Sequence, residues 1–283
     1  MLRLGHRRTL LTAPESGAAP LPLDALISEG ASLAFAVSPA RLLTSFVGAS
    51  IRLRSDGAGS PEQDASFTAA GDLDTAAITT WLASTSGSNA YARTFYDQSG
   101  NGRNLGNATA AQQPLYGDGS NGKGRLVFDG SNDHLDTASF SLAQPFLIWV
   151  VLSTAEVAAL RYHCSTIGTA PTFGGLYKNT SAAGGYFGTS NSALPTYSVN
   201  TLSHLCCYVN GSSSWLNLNG SLATGIAWGA TGINGGWRIG DRFDGALPWN
   251  GSIVEQVIFS GDPTGLAGWT AFYEGRRSYF GLP

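Results

Sequence analysis

The sequence predicts an all-β protein: an antiparallel sandwich or jelly roll with an N-terminal arm and a short C-terminal helix. Three observations predict it. From residue 93 onward, short runs rich in β-branched and aromatic residues recur between clusters of Gly, Asn and Ser, the spacing of strands joined by turns. The chain holds 37 glycines, which favours many turns over long helices. The run "PFLIWVVLS" (145–153) is apolar without alternation, as in a central strand covered on both faces.

The elements follow in order. Residues 1–30, rich in Ala, Pro, Leu and Gly, read as an extended arm that anchors the rest. The remainder, 31–283, reads as one domain, within reach of a single large sandwich. "SIRLRS" (50–55) alternates as a strand, with Arg52 and Arg54 on one face. "DLDTAAITTWLAS" (72–84) predicts a short helix capped by Asp72 or Asp74. "YVNGSSSWLNLNG" (208–220) reads as a hairpin. Near the end, Trp269, Phe272, Tyr273, Arg276 and Phe280 recur at helical steps, Arg276 and Arg277 suit the negative end of the helix dipole, and Gly281 stops it.

Composition excludes some functions. Charged residues make up 12%, about half the usual ~25%, and the net charge is −3. No basic field exists to draw in nucleic-acid phosphates. The apolar run 146–152 is far short of the ~18 residues of a membrane span, and no secretory h-region is visible at the N-terminus. Cys206 and Cys207 are adjacent. On a strand they point to opposite faces; the alternative is a strained vicinal disulfide.

Candidate ligand chemistry concentrates in two stretches. "WRIGDRFDGALPWN" (237–250) combines aromatic faces with fixed polar groups, the mixture a sugar requires: Trp237, Arg238, Asp241, Arg242, Phe243, Asp244, Trp249 and Asn250. The competing reading makes both tryptophans core residues and the Arg/Asp pairs solvated ion pairs. "GGLYKNTSAAGGYFGTSNSALPTY" (174–197) offers Tyr177 and Tyr186 among Gly and Ser, or else plain edge strands. Asp129, Asp133 and Asp136 suit either a weak Ca²⁺ site or an Asx-rich turn, and the turn is the preferred reading. No cofactor is expected. The histidines lack metal-ligand spacing and no G-x-S-x-G elbow occurs.

Two motifs, "YDQSGNGRN" (96–104) and "LVFDGSNDHL" (126–135), together resemble the concanavalin A-like, laminin-G-like sandwich superfamily. A narrower resemblance, through "SPARLLTSFVGASIRLRSDG", "LDTAAITTWL" and "ARTFYDQSGNGRNL", is to the catalytic domain of the α-L-arabinofuranosidase B family. The same opening resembles proteins of tailed phages and phage-like particles of the gene transfer agent type. Their start and end patterns are matched by Met1, Leu4, Gly5, Gly281 and Leu282.

A retaining hydrolase needs two carboxyls about 5–5.5 Å apart. The resemblance puts Asn219 of "LNLNGSL" where the nucleophilic Glu would sit and Asn217 where an Asp would sit. It offers Asp241 or Asp244 as acid/base. A neutral amide cannot form the glycosyl ester, so no catalytic residue is assigned. The resemblance therefore implies a non-catalytic virion protein, a fibre, spike or decoration. It would be made in the bacterial cytoplasm and displayed as a homo-oligomer on the particle. Its partners would be other virion proteins, through the arm, and cell-surface polysaccharide. The alternatives are a hydrolase pairing Asp241 or Asp244 with a carboxylate such as Glu255, and a purely structural subunit.

Overall fold

A computed structural model of the chain describes residues 21–119, 122–168, 173–191 and 194–283. Every pairing between its named strands is antiparallel, and the strands form an open sandwich of the jelly-roll, concanavalin A-like kind. The hub is the strand Asn250–Ser260. One edge pairs along its whole length with Phe146–Thr154. The other is shared between Gly124–Asp129, at its start, and Ser32–Val37, at its end. From Phe146–Thr154 the first layer continues through Ser203–Val209 and Ser214–Leu218 to Ser221–Ile226. From Gly124–Asp129 the sheet runs through Leu115–Asp118 and Ala90–Phe95 to Ile51–Ser55. The facing layer orders Leu135–Asp136, Trp237–Ile239, Arg161–Thr166, Gly174–Asn179 and Ala182–Phe187.

The central strand Phe146–Thr154 explains its own sequence. All nine residues are buried. Phe146, Ile148, Val150 and Leu152 enter the core between the layers, whereas Leu147, Trp149 and Val151 enter a second core behind the first layer. Both faces are covered, so apolar residues occupy both parities. The neighbouring strand divides its cysteines the same way. Cys207 lies in the first core and Cys206 in the second, and both are free thiols. The predicted hairpin pairs Tyr208 with Trp215. The predicted helix forms over Thr75–Ser84, and its cap is Asp74, whose carboxylate accepts from the Ala77 N–H at 2.9 Å.

The second core is roofed by the C-terminal helix Gly268–Phe280, which turns Phe272, Arg276 and Phe280 toward the sheet. Gly281 caps it in the left-handed conformation (φ 65°). Arg276 does more than answer the helix dipole: it is 2% exposed and forms an ion pair with Glu255, which is fully buried. Glu255 also accepts from Ser38 Oγ at 2.7 Å and Trp149 Nε1 at 3.0 Å. A β-bulge makes this contact possible. The register with the central strand slips between Ile253 and Glu255, so Val254 and Glu255 both lie on the helix side. Strict alternation would aim Glu255 into the sandwich core with Ile253. Glu255, expected as a carboxylate of the hydrolase alternative, is here buried and paired with Arg276.

Of the segment expected to be an arm, residues 21–30 are packed into the domain. Leu23 and Leu26, the latter on the short helix Asp24–Ser28, are buried in the second core, and Glu29 accepts from the Gly268 N–H at 2.9 Å. Residues 1–20 lie outside the described residues.

The loop "YDQSGNGRN" turns a corner and also seals an edge. Asp97 accepts from the N–H groups of Ala36, Ser99 and Arg103 and from the Ser99 hydroxyl. Asn101 Nδ2 donates to the carbonyls of Leu33 and Ala34, and Arg103 Nη1 to that of Ala34. These are the free backbone groups of the outermost strand Ser32–Val37, which would otherwise template strand addition. Gly100 and Gly102, at φ 87° and 68°, allow the loop to double back.

Candidate functional site

The candidate site is built by the strand Trp237–Ile239 and the loop after it. Alternation sends Trp237 and Ile239 inward and leaves Arg238 outward. Gly240 (φ 90°) then turns the chain beneath Phe128. A Cβ there would stand 2.2 Å from the Phe128 ring, so only glycine fits. Asp241 follows and closes the loop: its Oδ1 accepts from the N–H of Arg242 at 2.6 Å and of Leu247 at 3.1 Å. Asp241 is 1% exposed, yet among the described residues its Oδ2 has no hydrogen-bond partner. Burial pushes its carboxyl above the usual range, against the opposing pull of those two N–H groups. A Cβ at Gly245 (φ 73°) would stand in ordinary van der Waals contact with Oδ2, 3.7 Å away.

The loop is braced and rimmed by arginines. Arg238 forms two 2.7 Å hydrogen bonds with the Asp136 carboxylate and reaches the carbonyls of Arg242 and Phe243. Arg242 pairs with Asp244 through Nε at 2.8 Å and Nη2 at 2.6 Å. That pairing, assisted by the Ala246 N–H, holds the exposed Asp244 carboxyl below its ordinary range.

The fold brings the two candidate stretches together. Tyr162 and Tyr177 face each other across neighbouring strands on the outer side of the second layer, 5.1 Å between ring centroids. Phe173 stacks on Tyr186 at 4.5 Å and meets Phe243 of the 241–247 loop at 4.7 Å. The Arg242 guanidinium lies 5.9 Å from the Tyr162 ring and 5.8 Å from that of Phe243. Tyr177, Tyr186, Arg242 and Asp244 therefore share one aromatic patch beside Asp241. Tyr162 and Phe173 belong to it as well. Sequence reasoning missed them because only strand register reveals that Tyr162 stands opposite Tyr177.

Other candidates fall elsewhere. Trp237 and Trp249 are fully buried, their indoles donating to Gln256 Oε1 (2.8 Å) and to the Ser153 carbonyl (3.2 Å). Neither offers a ring face to a ligand; inward strand parity puts the first in the core. Asn250 is half-buried on the hub strand, opposite Asp129. Asn219 is a turn residue (φ 51°) whose amide accepts from the His204 N–H and donates to Ser203 Oγ. Asn217 accepts from the Gly220 N–H. Both serve the hairpin, and neither contacts the Asp241 loop.

Asp129 Oδ1 accepts from the N–H groups of Ser131 and Asn132, and Asp133 accepts from the Asp129 N–H, an Asx-built turn. Burial raises the Asp133 carboxyl to about 6, with the Asp129 charge adding to the shift. Among the described residues no group of three or more His, Cys, Asp or Glu side chains is placed to hold a metal ion. Within those residues, too, no helix is long and apolar enough to cross a membrane.

His163 adjoins the site. It sits at a bulge in the strand Arg161–Thr166, fully buried and edge-on to Trp249 at 5.5 Å. Among the described residues neither ring nitrogen has a partner, and burial lowers its pKa to about 3.

No family model and no curated protein matches the chain. Solved structures do. A GH54 α-L-arabinofuranosidase soaked with a cyclic sulfate inhibitor superposes with a TM-score of 0.70 at 19% identity. A mutant of such an enzyme soaked with 4-nitrophenyl α-L-arabinofuranoside gives 0.69 at 18% identity. An arabinofuranosidase complexed with arabinofuranosyl-α-1,2-xylobiose gives 0.68, also at 18%. In all three the match covers 89% of this chain and 64% of the other, so the chain spans just under two thirds of those proteins. At these identities the likeness establishes a shared β-sandwich fold.

Proposed function

We propose that the protein recognises carbohydrate at the Asp241 loop. One observation carries the reading: a buried carboxylate with one oxygen unpartnered among the described residues stands beside a cluster of tyrosine and phenylalanine rings whose outer members, Tyr186 and Phe243, are half-buried. A sugar hydroxyl would supply the hydrogen bond that Asp241 Oδ2 lacks, and the apolar face of the ring would lie on Tyr186 and Phe243, both half-buried. The arabinofuranosidase fold supports a furanoside as ligand. Titration calorimetry with 4-nitrophenyl α-L-arabinofuranoside tests this. Binding that is lost in Asp241→Asn supports the reading, and no heat of binding overturns it.

Hydrolysis is the second reading, favoured by the fold and by the raised Asp241 carboxyl, which suits a general acid. It needs a second carboxylate about 5–5.5 Å away in a retaining enzyme. Glu255 is committed to Arg276, and Asn219 is an amide in a turn. Release of 4-nitrophenol from the same compound separates hydrolysis from binding alone.

The setting we propose is the surface of a tailed phage or phage-like particle. There the protein would be a homo-oligomeric fibre, spike or decoration engaging cell-surface polysaccharide, anchored through its N-terminal segment to other virion proteins. The sequence motifs motivate this reading. Capsid, portal or tail genes beside its own would support it, and their absence would remove it.

A further inference from the structure

A second site stands away from the Asp241 loop. Beside the end of the C-terminal helix, the outer face of the first layer holds a cavity of about 260 Å³. Arg125 enters it from the strand Gly124–Asp129, where alternation turns this side chain away from the sandwich core. Among the described residues the Arg125 guanidinium forms no ion pair, and its Nε is shielded from solvent without a hydrogen-bond partner. A guanidinium so placed costs free energy unless an acceptor reaches it, and native proteins rarely leave such a group unmet.

The other walls fit a particular kind of acceptor. Lys123, paired with Asp72 at 2.8 Å, adds positive charge. Asn200, in the left-handed conformation that asparagine tolerates (φ 56°), also lines the cavity. Ser153 adds a hydroxyl, shared with Ser252 Oγ at 2.7 Å. Leu202 and Phe280 supply the apolar surface.

We infer that this cavity binds an acidic sugar, a monosaccharide ring carrying a carboxylate. Arg125 takes the carboxylate through paired N–H donors, as guanidinium does by geometry. Asn200 and Ser153 meet ring hydroxyls, and the C–H face of the ring lies on Phe280 and Leu202. Inorganic phosphate would satisfy Arg125 alone and leave the hydroxyl and apolar contacts unused. The inference is independent of the Asp241 reading, since no residue is shared.

Calorimetry of the full chain with sodium glucuronate, glucose and inorganic phosphate tests it. Glucuronate is expected to bind, glucose to give no heat, and Arg125→Gln to weaken glucuronate at least tenfold while Asp241→Asn leaves it unchanged. Asn200→Gly, compatible with the positive φ, keeps the fold and is expected to weaken binding severalfold. Equal binding of glucose, binding unchanged in R125Q, loss of binding in D241N, phosphate binding without glucuronate binding, or no heat from glucuronate would each overturn the inference.

Discussion

Glu255 and Asp241 are both buried carboxylates of the same sandwich, on opposite layers, and they are treated in opposite ways. Glu255 is saturated: Arg276 pairs with it, and Trp149 and Ser38 donate to it. Asp241 spends one oxygen on its own loop and leaves the other without a partner. The first arrangement fixes a helix to a sheet. The second keeps an acceptor in reserve beside an aromatic surface. Burial of a charge therefore says little about its purpose; the state of its last lone pairs says more.

The largest effect should come from breaking the saturated site. Glu255→Gln strands Arg276 in the second core and is expected to cost about 3–5 kcal/mol in denaturant unfolding. Replacing both partners, as Glu255→Leu with Arg276→Met, should cost less than Glu255→Gln alone, because no charge is left unpaired. If E255Q unfolds like wild type, the comparison between the two carboxylates fails.

The unequal legibility of the two regions has a physical cause. The central strand, both hairpin strands, the helix capped at Asp72 or Asp74 and the C-terminal helix could be read from local pattern; only the structure chose Asp74. Glu255 could not be placed. Its face is set by the bulge at Val254, and one extra residue reverses every following side chain. The Asp241 region was half legible. Its loop and the tyrosine-rich stretch stood out by composition, but Trp237 and Trp249 were drawn into the site by residue type, when strand parity already turned Trp237 inward. That Phe173 and Tyr186 stack against Phe243 follows from register alone.

Next in size is the acid response of His163. Its folded pKa, about 3, lies below the ordinary 6.5, because burial disfavours the cation. The stability it contributes is present above pH 6.5 and lost as pH falls toward 3. By pH 4 the loss should reach up to ~3 kcal/mol. His204, lowered to about 4 behind the other layer, acts in the same direction. His163→Leu should flatten the fall in melting temperature between pH 6.5 and 4. An unaltered profile would show that His163 finds a partner in solution.

Asp133 carries the opposite sign. Its folded pKa is raised to about 6 by burial, so its contribution is present below the unfolded value of 3.8 and lost as pH rises through 6. Asp133→Asn retains an oxygen to accept from the Asp129 N–H and removes the buried charge. It should stabilise the protein at pH 7 by roughly 1 kcal/mol, and by nothing at pH 3, in paired urea titrations. Destabilisation at pH 7 would mean that the charge is compensated.

The smallest expected change in stability, and the one that separates the two carboxylates most sharply, is Asp241→Asn. The amide oxygen can still accept from the N–H groups of Arg242 and Leu247, so the loop keeps its closure. A buried charge with one empty side is removed, and the folded-state preference for protonation goes with it: Asp241 contributes most at low pH and loses that as pH rises through its raised pKa. The net cost should stay under ~1 kcal/mol. Binding of the arabinofuranoside should fall tenfold or more, about 1.4 kcal/mol, because the hydroxyl then meets an N–H₂ group where the reserved oxygen stood. If D241N instead loses as much stability as E255Q while ligand binding persists, Asp241 is a second structural carboxylate and its open oxygen is filled by water.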